Sequence, residues 1–212
     1  MSTGRVSDAL PPPRLVLATR NPGKIVELRR LLASYPWRLL SLDEAGFSED
    51  VDEPADTYLD NAGAKAAITC TATGLAALAD DSGIEVDALH GWPGARSARW
   101  RGGSDGDRLL GLIDEVNRRT PEDRRVRYVC VAVLARPGGT PVVARGECLG
   151  TLLTEPRGSG GFGYDPAFLS RDLGITFGDA SQEDKDRVSH RARAIARLAE
   201  SGVLGAPAQS LA

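Results

Sequence analysis

A run of four apolar residues, Leu15-Val16-Leu17-Ala18, leads directly into Thr19-Arg20-Asn21-Pro22-Gly23-Lys24, and from there Ile25, Leu28, Leu31 and Leu32 recur at helical spacing. Nothing else in the chain constrains the fold so tightly. A strand delivered into a helix through so short a turn predicts an α/β unit. Pro22 stands at the first helical position, which suits a residue without an N–H to donate. Free backbone N–H groups at the positive end of the helix dipole, with Lys24 adding a full charge, make the junction an anion site. By itself the fragment also reads as an ordinary capped turn, and it lacks the GxxxxGK[ST] spacing of the Walker loop.

The rest of the chain extends this pattern. Trp37 to Leu42 reads as a strand. Thr57 followed by Asp60 predicts a capped helix reaching Gly74, on which Asn61 and Lys65, four residues apart, share a face. Leu75 to Ala79 reads as a buried strand ending on Asp80-Asp81-Ser82-Gly83, with a separate period-two stretch from Ile84 to Leu89. Asp105 to Arg119 carries Leu109, Leu112, Ile113 and Val116 as an amphipathic helix does. Val126 to Ala135 and Pro141 to Leu153 predict two strands around Pro137-Gly138-Gly139. One basic helix is expected from near Ser181, with Val188, Ala192, Ile195 and Leu198 on one face. The domain reading is a disordered lead over 1–13, one α/β domain in two lobes over 14–203, and a tail over 204–212.

Composition narrows the chemistry. The 212 residues carry 26 Lys+Arg against 29 Asp+Glu, a net charge of −3, and a nucleic-acid polymer as partner needs a basic surface. No apolar run approaches the roughly 18 residues of a membrane span, and the first 13 residues hold no signal-peptide stretch, so a cytoplasmic protein is expected. Cys70, Cys130 and Cys148 are odd in number and widely spaced, which fits buried thiols rather than disulfides or a CxxC site. With only His90 and His190 beside them, a His-rich or Cys-rich zinc centre is excluded. Carboxylates, lysines and glycines remain.

Asp80 and Asp81 follow an apolar strand, where open α/β sheets place their ligands. Paired carboxylates there suit Mg²⁺, which takes oxygen ligands and shares them with substrate phosphates; the acidic loop Asp50, Asp52, Glu53 offers more. Gly158 to Gly163 matches GxGxxG by letter, but Tyr164-Asp165-Pro166 follows, and proline disfavours the helix that a dinucleotide fingerprint must open. A glycine loop presenting Phe162 to stack and Asp165 to accept hydrogen bonds suits a planar ring instead. Lys185 with Ser189-His190-Arg191 supplies further polar groups near the last helix.

These motifs together resemble the inosine triphosphate pyrophosphatases, also called XTP/dITP pyrophosphatases. The matching segments are LATRNPGK (17–24), the Asn61/Lys65 helix, ADDSG (79–83), PGARSAR (93–99), GGFGYDP (160–166) and SHR (189–191), in the family's order. The resemblance implies Mg²⁺-dependent hydrolysis of ITP, dITP and XTP to monophosphate and pyrophosphate. It also implies an elongated mixed sheet flanked by helices, a nucleotide cleft between two lobes, and a homodimer. It assigns Asp81 to the metal and the attacking water, and Glu53, with Asp52 as the neighbouring alternative, to a second metal ligand. Thr19, Arg20, Asn21, Pro22, Gly23 and Lys24, with Lys65, resemble the triphosphate cradle, and Asn61 on the same helix is a further substrate-binding candidate. Ser82, Phe162, Gly163, Tyr164, Asp165, Lys185, His190 and Arg191 resemble the ribose and base contacts. Two positions depart from the common pattern: Asp52-Glu53-Pro54-Ala55 where relatives often carry Glu-Glu-Thr-Gly, and Ala192 where many have glycine. A pyrophosphatase of other base preference and a non-cleaving triphosphate sensor are the competing readings.

Overall fold

The computed structural model describes residues 11–51 and 55–207; Asp52 and Glu53, and the first ten residues of the expected lead, lie outside them. Among the described residues six strands form one mixed sheet in the order β2-β1-β3-β4-β5-β6. Strand β1 (Arg14–Leu17) pairs in parallel with β2 (Arg38–Leu40) and β3 (Ala76–Val86). Then β4 (Arg125–Ala135), β5 (Val142–Leu152) and β6 (Phe168–Ser170) continue antiparallel. The helices are α1 (Pro22–Leu31), α2 (Tyr58–Thr73), α3 (Asp105–Arg119), α4 (Gln182–Val188) and α5 (His190–Glu200). The α/β class, the mixed sheet and its flanking helices are as expected.

Local chemistry sets most element ends. Asn21 caps α1 by accepting from the Lys24 amide, Thr57 caps α2 through the Asp60 amide, and Gly74 ends α2 in the left-handed region at φ 65°. Ser104 and Asp107 close a reciprocal capping box on α3, each satisfying an otherwise orphaned N–H. Helix α3 then buries Leu109, Leu112, Ile113 and Val116, each worth about 1.5–3 kcal/mol relative to exposure.

The core forms three clusters. On one sheet face α2 lays Ala62, Ala66 and Cys70 over Val16, Ala77, Ala79 and Val129 to Val133 in alternation. On the other, α1 and α5 cover Leu15, Leu17, Leu78, Cys130, Ala132 and Leu134. A third cluster joins α3 to the far ends of β3 and β4 and to Phe168 and Phe177. Helix α5 lies so close to β5 that a Cβ on Gly146 would stand 2.1 Å from the His190 carbonyl oxygen, so a side chain there would displace the helix. All three cysteines are buried and free. Past α5 the chain stays docked, with Leu204 fully buried and its carbonyl accepting from the Trp37 indole at 2.9 Å.

Three expectations change. The stretch read as strand, turn and second strand is the single strand β3, with Asp80, Asp81, Ser82 and Gly83 paired to Ala132, Val131, Cys130 and Val129. The long antiparallel partner β4 overrides the turn tendency of Asp-Asp-Ser-Gly, and the adjacent acids sit mid-strand rather than at a strand's end. The last helix is two helices, because Ser189 is extended (φ −66°, ψ 155°), ending α4 and capping α5 through the Ala192 amide. The strand expected from Trp37 to Leu42 is confined to β2. No helix among the described residues is long and apolar enough to cross a membrane.

Candidate active site

A cavity of about 330 Å³ opens between two of these clusters, lined by Ala18, Leu42 and Ala95 from the one under α2 and by Tyr128 and Tyr164 from the one under α3. Its lining includes Thr19, Arg20, Asn21, Lys24, Lys65, Asp81, Ser82, Phe162, Gly163, Tyr164, Asp165, Lys185, His190 and Arg191. Most of the residues singled out in the sequence, drawn from positions as far apart as 19 and 191, therefore meet at one place. Pro22, Gly23 and Asn61 are not in its lining but support it, and Glu53 is outside the described residues.

The period of β3 separates the paired acids. Asp81 turns toward α2, where its carboxylate accepts from Asn61 Nδ2 at 2.9 Å and from the Ser82 amide at 2.9 Å. Asn61 is itself locked by two hydrogen bonds of 3.1 Å to the backbone of Ala55. Asp80 turns to the opposite face, fully buried, 3.1 Å from Lys24 Nζ and 3.0 Å from Arg191 Nη2. Burial alone would raise its pKa, but Lys24, Arg191 and Lys65 outweigh it and hold the carboxyl well below the usual range. Lys65 and Lys24 both donate to the Asp80 carbonyl oxygen, at 2.7 and 3.2 Å, which brings the ammonium groups of α2 and α1 together at the cavity wall.

A second knot of charge closes the far side. Lys185 lies 2.6 Å from both Glu27 and Asp165. Burial would lower the Lys185 pKa, but these two carboxylates outweigh it, and the net shift is upward. Arg191 donates to Asp80 from Nε and Nη2, to Ser82 from Nη2 and to Glu27 from Nη1. Four of its five N–H groups are thereby used inside the protein. Asp165, expected as an open acceptor, is turned inward and receives the Phe162 amide, the Tyr128 hydroxyl and Lys185. His190 stacks flat on Tyr128 with centroids 4.5 Å apart. Its burial, with Arg191 and Lys185 nearby, drives its pKa well below the ordinary value.

The glycine loop is held at both ends. Phe162 rests on Gly23, where a Cβ would come within 2.5 Å of the ring, and under the Lys185 ammonium at 4.9 Å. Gly163 donates its amide to Asp105 on α3 at 3.2 Å, and Tyr164 donates its hydroxyl to the Ser97 carbonyl at 2.7 Å. A short 3-10 turn, Asp165–Ala167, follows in place of a helix, so the GxGxxG letters do not form a dinucleotide fold here.

Several residues of the site escaped the sequence reading. Glu27 carried one signal, since it lies three residues past Lys24 and beside Leu28, on the buried arc of α1. Tyr128 shares the inward parity of Val126 and Cys130 on β4. Arg108 and Asp105 come from the first turn of α3, and Glu49 from the acidic loop.

Mg²⁺ matches the donor set. Asp81 is an oxygen donor oriented by Asn61, and Glu49 and Asp50 also line the cavity, which suits an ion bound by one or two carboxylates plus phosphate oxygens. Among the described residues no group of three or more His, Cys, Asp or Glu side chains is placed to cage a metal alone. Such an ion would therefore depend on substrate oxygens to complete its shell.

The Ham1 family model matches residues 15–201. The chain is 47% identical over 187 residues to a dITP/XTP pyrophosphatase of Symbiobacterium thermophilum, covering 88% of this chain and 93% of that one. It is 45% identical over 195 residues to one from Thermus thermophilus, covering 92% and 94%. The solved structure of a HAM1 protein from Coxiella burnetii superposes with a TM-score of 0.81 at 31% identity, over 89% of this chain and 98% of that chain.

Proposed function

This chain belongs to the Ham1 family, and from that premise we propose that it is a nucleoside triphosphate pyrophosphatase acting on non-standard purine nucleotides. The products would be the monophosphate and pyrophosphate, and the role the cleansing of the nucleotide pool. The observation that carries the reading is the division of labour on β3. Asp81 faces the cavity on an oriented amide while Asp80 anchors the cations beside it.

In this reading the triphosphate lies on the Thr19 to Lys24 turn, with Lys24 and Lys65 offsetting the charge that develops on the departing pyrophosphate. Electrostatic stabilisation of that kind is the main protein contribution to phosphoryl transfer. Mg²⁺, held by Asp81, a carboxylate of the 49–53 segment and phosphate oxygens, would supply further charge neutralisation. Asp81 positions water for attack at the α-phosphorus and accepts its proton, and Asn61 fixes the carboxylate that does so. The base enters beside Phe162. Lys185, with two of its three N–H groups spent on carboxylates, and Arg191, with one N–H left, present donors to a 6-oxo purine. An adenine 6-amino group would leave such a donor unpaired, at a cost of about 1–3 kcal/mol. A homodimer, as the resemblance implies, and a cytoplasmic location complete the reading.

The test is pyrophosphate release from ITP, dITP, XTP, GTP and ATP, with Mg²⁺ and with a chelator. Release from the first three, lost on chelation, is expected. Tight ITP binding without release would support a sensor instead, and comparable turnover of ATP and ITP at limiting concentration would overturn the base assignment.

A further inference from the structure

Most of the cationic side chains in the cavity are committed to partners that hold them firmly. Lys24 and Arg191 are on buried Asp80, and Lys185 is on buried Glu27 and Asp165. Arg20 has an exposed carboxylate partner, Asp43, but is tied as well to the carbonyls of Phe47 and Glu49. Arg108 differs. It lines the cavity from the first turn of α3 with its side chain 17% exposed, and its carboxylate partner, Asp105 at 2.5 Å, is 55% exposed. Its other bond among the described residues is from Nη1 to the Gly103 carbonyl at 2.7 Å. A guanidinium has five N–H groups in a rigid fork, so more than half of its donor capacity has no partner among the described residues.

The Asp105 carboxylate does two things at once. Its Oδ1 takes Arg108 and its Oδ2 takes the Gly163 amide of the glycine loop. Carboxylate and phosphate oxygens present the same geometry to a guanidinium, and a phosphate carries the greater charge. With the Asp105 carboxylate largely in solvent, a pair three residues apart on a helix is worth only about 0–1 kcal/mol. Exchanging Asp105 for a substrate phosphate therefore costs Arg108 little.

We propose that Arg108 is a further substrate-binding residue of this site, taking a phosphate oxygen of the nucleotide in place of Asp105. The assignment rests on the pyrophosphatase reading. It makes α3 a contributor to triphosphate binding beside the Lys24 turn of α1 and Lys65 of α2. A phosphate offers the fork two oxygens and a full charge. A neutral purine edge offers less, so the phosphate chain is the favoured occupant.

The experiment measures kcat and KM for ITP with Mg²⁺, and competitive inhibition by inosine and by IMP, in wild type, Arg108→Gln and Arg108→Lys. The expected result is a rise in KM for ITP on the order of tenfold in Arg108→Gln, the size of one lost charge-assisted hydrogen bond. The same variant should keep kcat within about threefold and leave inosine inhibition unchanged, while Arg108→Lys, which keeps the charge but not the fork, should fall between the two. An unchanged KM in Arg108→Gln would overturn the assignment, and so would inosine inhibition weakened as much as ITP binding, which would place Arg108 on the base. Because the Asp105 end of the pair is exposed, both variants should melt within a few degrees of wild type. A wild-type chain that releases no pyrophosphate from ITP would sink the pyrophosphatase reading itself. Normal wild-type turnover with an indifferent Arg108 variant would sink this assignment alone.

Discussion

Asp80 and Asp81 are consecutive in the chain and serve opposite faces of β3: Asp80 holds Lys24 at 3.1 Å and Arg191 at 3.0 Å, while Asp81 holds Asn61 at 2.9 Å. Two carboxylates adjacent enough in sequence to share one ion are divided by the strand's period of two. One neutralises buried cations and the other reaches the cavity, so substitutions at the two positions should fail in different ways.

Asp81→Asn is expected to leave the fold intact and reduce kcat by at least about a hundredfold, the ordinary loss for a positioned acid or base. Circular dichroism and pyrophosphate release from ITP check the two halves. A variant within threefold of wild-type kcat would remove Asp81 from the chemistry.

Asp80→Ala leaves Arg191, which is 1% exposed, with Glu27 and Ser82 but without one buried carboxylate, and removes the side-chain partner of Lys24. Removing one member of a buried charge network costs about 3–5 kcal/mol. Urea unfolding should show that loss. A cost below about 1 kcal/mol, typical of a surface pair, would mean that the network contributes little.

Gly23→Ala separates stability from substrate handling. Alanine is favoured over glycine in a helix by up to about 1 kcal/mol, so melting should hold or improve. The new Cβ, 2.5 Å from Phe162 Cδ1, must displace the ring, and kcat/KM for ITP should fall about tenfold. Unchanged kinetics would show that the ring's position is immaterial.

His190 predicts a pH dependence of stability. Burial, followed by Arg191 and Lys185 and opposed in part by Asp80, drives its pKa far below the usual value while it stacks on Tyr128. The unfolded chain then binds a proton near pH 6.5 that the folded chain refuses. Its contribution is full above that value and declines as pH falls, by at most about 1.4 kcal/mol per unit. Melting temperatures between pH 7.5 and 5 should drop, and His190→Gln should flatten the curve. Parallel curves for the two proteins would contradict this.

Much of the site was legible before any fold was known. The Thr19 to Lys24 turn could be read because its cap, its proline and its helix spacing are local. Asn61 and Lys65 could be placed on one face because four residues is nearly one helical turn, and Thr69 continues the same face into the cavity. The glycine loop could be cleared of dinucleotide binding from Pro166 alone. The continuity of β3 was not legible, since Asp-Asp-Ser-Gly has turn chemistry and the partner that keeps it extended lies some fifty residues away on β4. The break at Ser189 was also hidden, because a serine within an amphipathic pattern reads as readily as a helical residue as a cap.

By itself, then, the sequence determined the α/β class, the local caps and turns, and which residue types could do chemistry, all properties that depend on neighbours a few positions apart. Only the tertiary structure decided which charges are spent and which are available. Arg191 meets Asp80 across 111 positions and Glu27 across 164, and no local pattern encodes such pairing. A side chain's charge becomes function or scaffold according to what the fold brings against it. In this chain that separates Asp81 from Asp80, and the loosely held Arg108 from the locked Arg191.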